Sequence, residues 1–558
     1  MKAGKESLWA DALSLSCVVL VSLGLWAWQS RSKPTIDGAL DGGATDAMLG
    51  FDADLDATDG DFDGGTDMDG AVEPDCAATN GARCFYVAPD GDDNAQGTMD
   101  APFKTFRAAL VQAAPGDFIY ARGGEYGRDN AMLANLERLP QNQFSPPCAA
   151  DQTEADGYCQ VPRLEFISIK EWDGYPDHYD DAYSVVSGEP ERPITIRNFP
   201  GERPVLDMAS LARSQDVEDA LIERQKPAIS IGKSHWVIRG FEVIGGSINL
   251  YGNIEDITIQ DCEVHDLVRD GGDNPGLIRI NRGPEFVRIL HNRLYGLSDY
   301  DFPGIWDDRV VDAQHFGAVT MLSGETYGGT DDTGRIDIQD NEMFHVPQVF
   351  FFKNAARGPI EITGNYIHDS GRLAGNVASN VHVAGNLVVN VATGFWRQGQ
   401  GFTELGDQNP EVMAIDGQNL TIEYNTFVGL EGTLVSQSHG TGRVLSHNVI
   451  FGLPDTAASA NWDSSSYIKG GDDFVAASAL QSDDNCFIVP DAGFQHVAVY
   501  RSDGVDHYDI QQGRSLFGLD LSSVVVVSSD VGEVFTDPDS GDYSLLPTVG
   551  CSNVGYLS

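Results

Sequence analysis

Between Ile257 and Asn448 the chain repeats one short phrase: apolar, any, apolar, two of any, then Asn. It reads I-T-I-Q-D-C (257–262), V-R-I-L-H-N (287–292), I-D-I-Q-D-N (336–341), I-E-I-T-G-N (360–365), V-H-V-A-G-N (381–386) and L-T-I-E-Y-N (420–425), with a weaker copy in R-V-L-S-H-N (443–448). Apolar residues alternate with period two, so each copy predicts a strand. The closest copies end at Asn365 and Asn386 and at Asn425 and Asn448. Strand, turn, strand and turn in roughly 20 residues make one coil of a parallel β-helix. Asn tolerates a left-handed bend that turns the chain inward. Its amide can bond to the equivalent Asn of the next coil, a buried ladder with its polar groups paired. Cys262 would fill one rung as a small buried residue. A leucine-rich repeat or a β-sandwich is the alternative. No Leu-rich consensus appears, and the recurrent turn chemistry fits a sandwich poorly.

A second pattern lies at 85–126, FYVAPDGDDNAQGTMDAPFKTFRAALVQAAPGDFIYARGGEY. Phe85–Ala88 predicts a strand, and Phe103–Ala114 has apolar residues at helical spacing. Pro115-Gly116-Asp117 ends the helix, and Phe118–Ala121 predicts another strand. A solenoid needs its exposed first coil covered, and an amphipathic helix across the open end does this. The expected fold is all-β, a parallel β-helix solenoid with an N-terminal capping helix.

The segments YVAPDG, APFKTFRAAL and PGDFIYARGGEY resemble the N-terminal cap of right-handed parallel β-helix proteins of the pectate-lyase-like superfamily. The pattern is most similar to family nine polysaccharide lyases. G-L-D-L-S-S (518–523), F-T-D-P (535–538) and G-D-Y-S-L-L-P (541–547) resemble the closing segment of such proteins, so the resemblance covers about 84–558.

Charge and composition narrow the setting. The 558 residues carry a formal net charge of −49, which argues against nucleic acid and anionic membranes as partners. Residues 12–28, ALSLSCVVLVSLGLWAW, follow Lys2 and Lys5 and resemble a signal sequence. A cleaved signal and an uncleaved anchor are both open. Cys17 does not read as a lipoprotein cysteine, because the apolar stretch lies after it. Residues 35–75 hold thirteen Asp or Glu and no Lys or Arg, and read as a flexible acidic spacer. Within it, Asp59-x-Asp61-x-Asp63-Gly64 resembles an EF-hand start, but Gly70 stands where a bidentate Glu is needed. The expected organisation is 1–34 signal or anchor, 35–75 spacer and 76–558 β-helix, extracellular or at the cell surface, as a monomer. Cys76 with Cys84, Cys148 with Cys159, and Cys486 with Cys551 read as local disulfides of an exported chain, although sequence does not settle connectivity. No Cys/His cluster suggests zinc.

The resemblance implies a reaction, β-elimination on uronic-acid chains. A base removes the proton next to the uronate carboxylate, and Ca²⁺ neutralises that carboxylate. In family nine the base is a lysine beside a calcium site of Asp side chains. Lys353 matches best, since it follows the apolar strand V-F-F-F (349–352). Arg357 and Arg397 would supply the cationic surroundings that favour a neutral lysine. Asp301, Asp307, Asp308 and Asp312 cluster in the insertion 299–315 as candidate Ca²⁺ ligands. Asp266, Asp270 and Asp273 form a second group. The family's Asp-Asp-x-x-Asp spacing is not reproduced by Asp307-Asp308 and Asp312. The bland alternative is that Lys353 caps a coil or pairs with a surface carboxylate.

Insertions at 127–193, 299–315 and 398–410 would lie beside the groove of such a solenoid. His265, His291, His345, His368 and His447 recur near the repeat Asn and read as polar turn residues. Trp172, Trp306, Trp396 and Trp462 are sugar-stacking candidates, or packing residues under loops. The expected partner is an acidic polysaccharide or other glycan. The rival readings are a non-catalytic glycan-binding rod and a glycoside hydrolase on the same fold.

Overall fold

The computed structural model describes residues 81–140, 158–170, 184–208, 227–267, 276–297, 317–322, 334–353, 359–375, 379–396, 419–452, 468–471, 480–489 and 498–556. Within these, 282, 431–433, 438–441, 503 and 509 are excepted. The described residues form a parallel β-helix. One sheet has twelve parallel strands, from Cys84–Val87 to Leu480–Asp483, and includes every strand of the repeated phrase. A second row follows each phrase, for example Glu263–Leu267, Arg293–Leu297 and Glu342–Phe344. A third row includes Gly276–Asn281, Gly317–Leu322 and Gln348–Lys353. Two ten-residue strands, Tyr366–Gly375 and Leu387–Trp396, run unbroken through the second and third rows and join them into one hydrogen-bonded sheet.

Burial follows the alternation. In Ile336–Gln339, Ile360–Thr363, Val381–Ala384 and Leu420–Glu423 the first and third residues are buried and the others are not. The apolar positions of all three rows converge on one core. The capping helix is shorter than expected, Phe106–Leu110. Phe103 is tied to Tyr86 by backbone hydrogen bonding, and Asp93 Oδ1 accepts from the N–H groups of Lys104 and Thr105, so helical geometry starts only after Thr105. Phe106 packs on Tyr126 and Phe241 with ring centroids 5.3 and 5.9 Å apart.

The asparagine ladder is present. Asn365 Oδ1 accepts from the backbone N–H and Nδ2 of Asn341, both at 3.0 Å. Asn365 Nδ2 donates to Ile338 O and to Asn386 Oδ1, both at 2.9 Å. The pattern repeats at Asn292, Asn386, Asn425 and Asn448. Cys262 occupies the first rung, buried, with its N–H on Asn292 Oδ1 at 2.9 Å. Asn485 is a further rung, and the ladder closes on Ser523 Oγ. One expectation needs correction. The left-handed bend belongs to the residue before each Asn: Asp261, His291, Asp340, Gly364, Gly385, Tyr424, His447 and Asp484 have φ between +53° and +67°. The Asn turns inward because its predecessor bends.

Cys486 is bonded to Cys551 as expected. Cys84 is disulfide-bonded, and Cys76 lies outside the described residues, as does Cys148. The Cys486 bridge pins a C-terminal segment against the outer face of the second row. There Val534, Phe535 and Val549 pack with Leu387, Val389, Val428, Val449 and Ile488. No described helix is long and apolar enough to cross a membrane.

Replacing Asn386 by Leu leaves the Asn365 N–H without its acceptor and breaks two rungs. The expected cost is about 2–4 kcal/mol, read as a lower denaturation midpoint in urea. Cys262→Ala, which removes a rung side chain but no ladder amide, should cost about 1 kcal/mol. Equal losses at the two sites would show that the amides do not carry the stacking.

Candidate functional site

Lys353 is the last residue of Gln348–Lys353 in the third row. It is in register with Leu322, and Leu322 with Asn281 and Tyr251. Arg357, Arg397, Asp301, Asp307, Asp308 and Asp312 lie outside the described residues, as do Asp270, Asp273, Trp172, Trp306 and Trp462. The insertion carrying the four aspartates leads into Gly317–Leu322 at Gly317, whereas Lys353 pairs with Leu322 at the other end. That six-residue strand spans about 17 Å. Among the described residues no group of three or more His, Cys, Asp or Glu could hold a metal ion.

The outer face of the third row is polar and buried. Strand alternation turns Ile229, Ile231, Ile248, Leu250, Ile278, Ile280, Val319 and Met321 into the core. The residues between them face outward and fall in one lateral line: Ser168, Ser230, Asn249, Arg279 and Thr320, then Phe351. Each is at most 8% exposed, and so many buried polar groups on an outer face are uncommon. Two residues further along the strands sit Lys170 and Tyr251. Lys170 Nζ lies 2.7 Å from Glu165 Oε1, and Glu165 has no exposure. The same ammonium is 5.2 Å from the Tyr251 ring centroid. Tyr251 OH accepts from Asn249 Nδ2 at 3.0 Å, and Asn249 Oδ1 accepts from Ser247 Oγ at 3.1 Å.

The outer face of the second row is different. His265, Tyr295, Phe344 and His368 stack over four coils, with centroids 4.6–4.8 Å apart and planes within 9°. His265 and His368 are therefore strand residues of a ring stack and not turn residues, whereas His291, His345 and His447 do occupy left-handed turns. The rings cover one another's faces, which leaves little for a sugar to stack on. Ion pairs flank them: Arg293 bridges Glu263 and Glu342, and Arg203 bridges Glu242 and Glu263. Asp266 bonds to His265 at 2.9 Å. His368 sits between Asp369, 2.8 Å from Nδ1, and Glu342, 3.3 Å from Nε2. Burial works against its charged form, but the two carboxylates outweigh that and raise its pKa. The bond from His368 lowers the pKa of Asp369. Burial opposes the charge of Glu342, yet His368 and Arg293 hold its pKa below the usual value.

Comparison with known proteins agrees with this architecture. Residues 85–278 match the family model described as the Pel9A-like, right handed beta helix region. That match covers about a third of the chain, which over this region is similar to pectate-lyase-like right-handed β-helix proteins. A stretch of 45 residues is 54% identical to Pectate lyase PEL9 of Emericella nidulans, covering 8% of this chain and 11% of that protein. The match thus spans about a ninth of the relative's length. Among solved structures, pectate lyase Pel9A is 16% identical with a TM-score of 0.41, covering 68% of this chain and 79% of that one. The GH136 lacto-N-biosidase from Eubacterium ramulus is 13% identical with a TM-score of 0.33, covering 66% and 64%.

The His368 cluster makes a pH prediction. A raised histidine pKa contributes stability that is fully present below the unfolded value of about 6.5 and lost as pH rises through the folded value. The lowered Asp369 and Glu342 contribute stability that is present above their unfolded values and lost as pH falls through their folded ones. From pH 6 to 8.5 the melting temperature of the wild type should therefore fall more steeply than that of His368→Gln. Parallel curves would remove His368 from the account.

Proposed function

We propose that this protein is an exported polysaccharide lyase acting on uronic-acid polymers. The supporting observation is the Pel9A-like region over 85–278. The 45-residue stretch that is 54% identical to a pectate lyase points the same way. In this reading residues 1–34 direct export, 35–75 are a spacer, and the β-helix works outside the cell or at its surface as a monomer.

Lys353 takes the base role. Its neutral amine accepts the proton on the carbon next to the uronate carboxylate. The electron pair moves to form a C=C bond, and the glycosidic oxygen leaves from the next carbon. Arg357 and Arg397 favour the neutral lysine and attract the uronate charge. Asp301, Asp307, Asp308 and Asp312 would hold Ca²⁺ through their hard carboxylate oxygens. Bound calcium would neutralise the uronate carboxylate and lower the barrier to losing its neighbouring proton.

The test is the ultraviolet absorbance of unsaturated uronide released from pectate, alginate and glycosaminoglycans. Wild-type protein should form product with Ca²⁺ and lose it with chelator. Lys353→Ala should cost about 10²–10⁴ in kcat, with the fold unchanged by circular dichroism. Product at the wild-type rate from Lys353→Ala removes it as the base. Absence of product from every polymer sinks the lyase reading, and reducing-end release would then separate a hydrolase from a binding rod.

A further inference from the structure

The corner where the third row begins holds a lysine with spare donors. Lys170 follows Ile167–Ile169, and its side chain is 10% exposed. An ammonium has three N–H donors. Glu165 takes one, and the Tyr251 ring face lies 5.2 Å away. Among the described residues no other acceptor bonds to Nζ. A nearly buried donor without a partner is costly, and a ligand oxygen would relieve that cost.

The surroundings are built to hold this arrangement. Ile169 is in register with Ile231, and Ile231 with Leu250, so Gly232 lies between Lys170 and Tyr251. A Cβ on Gly232 would meet Lys170 Cα at 3.3 Å. With only a hydrogen there, Lys170 leans across to the Tyr251 ring. Asn249 Nδ2 then donates to the Tyr251 oxygen, and Ser247 Oγ donates to Asn249 Oδ1 and holds that amide in place.

We infer that Lys170 and Tyr251 form a sugar subsite that takes a neutral sugar, through its hydroxyl oxygens, at the corner where the third row begins. Neutrality follows from Glu165. Its carboxylate already balances Lys170, and a ligand carboxylate on the same ammonium would lie against Glu165, where like charges repel strongly. A hydroxyl accepts the same hydrogen bonds without that repulsion. Gly232, Tyr251, Asn281 and Leu322 separate Lys170 from Lys353 along the sheet, a distance of about 24 Å. Resting on the proposed uronate site at Lys353, this spacing makes the substrate a heteropolymer with neutral sugars alongside its uronic acids.

The experiment is calorimetric binding to the full chain with two probes of about six sugars, oligogalacturonate and rhamnogalacturonan oligosaccharide. Lys170→Met and Tyr251→Ala should weaken the rhamnogalacturonan probe tenfold or more and the oligogalacturonate less than twofold. Lys170→Met alone strands a buried carboxylate, so the double variant Lys170→Met/Glu165→Gln is tested beside it to keep the fold. Unchanged binding of both probes, equal loss of both, or no binding of either by the wild type overturns the subsite. Binding is read without turnover, so failure of the lyase reading shows separately, as this selectivity persisting while no unsaturated product forms.

Discussion

Each ladder asparagine buries a primary amide, and a buried amide is tolerated only when its donors and acceptor are met. Asn341, Asn365, Asn386, Asn425 and Asn448 meet that demand from the coils on either side. A one-residue slip in any coil would strand an amide in the core and turn its apolar residues outward. The ladder therefore sets the register of the whole stack. Counting from each Asn, the second residue of the next strand points inward, as at Leu294, Met343 and Ile367, and the first and third point outward. The stacked rings of His265, Tyr295, Phe344 and His368 are the outward third positions, and Glu263, Arg293 and Glu342 the outward first ones. An internal constraint thus decides which side chains line the outside.

That constraint leaves three outer faces with different fates. On the first sheet the outward residues pair along the surface, as Arg239 does with Asp261 and His382 with Glu361 and Glu423. On the second row the early coils fill themselves with stacked rings, and the later coils lie under the C-terminal segment held by Cys486–Cys551. The third row buries its outward line, from Ser168 to Phe351, and places a lysine and a tyrosine two residues further along its strands.

The coil was legible because its signal is local: two apolar residues, a fixed gap and an Asn. Asn485 escaped because Ser482 replaces the second apolar residue in L-Q-S-D-D-N, although it completes the ladder. The left-handed residue falls one position before the expected Asn, since Asp, His and Gly, which precede it in most copies, tolerate that bend as Asn does, and at Tyr424 the stack imposes it on a tyrosine. The outer-face rows were not legible for a plainer reason. Arg279 lies beside Asn249 and Thr320, whose sequence distances from it differ because insertions vary coil by coil. Lateral neighbours in a solenoid have no fixed spacing unless every loop has the same length. Lys353 stood out as a cation ending an apolar strand, whereas Lys170 lies inside the stretch 127–193 read as an insertion, in the unremarkable phrase S-I-K-E, although Ile167–Ile169 there is a strand of the third row.

The acidity of the chain constrains any account of how it meets an acidic polymer. Thirteen of its 84 acidic residues lie in 35–75, so the remainder is itself strongly negative. Long-range attraction cannot bring a polyuronate to such a surface, because the net field repels it. Recognition must come from short-range contacts, within about 8 Å at physiological ionic strength. Local cations and a divalent counter-ion are the groups able to overcome the repulsion at that range. The lysine and calcium parts of the proposed function therefore depend on each other. A subsite that binds hydroxyls, as at Lys170, adds affinity without adding to the electrostatic conflict.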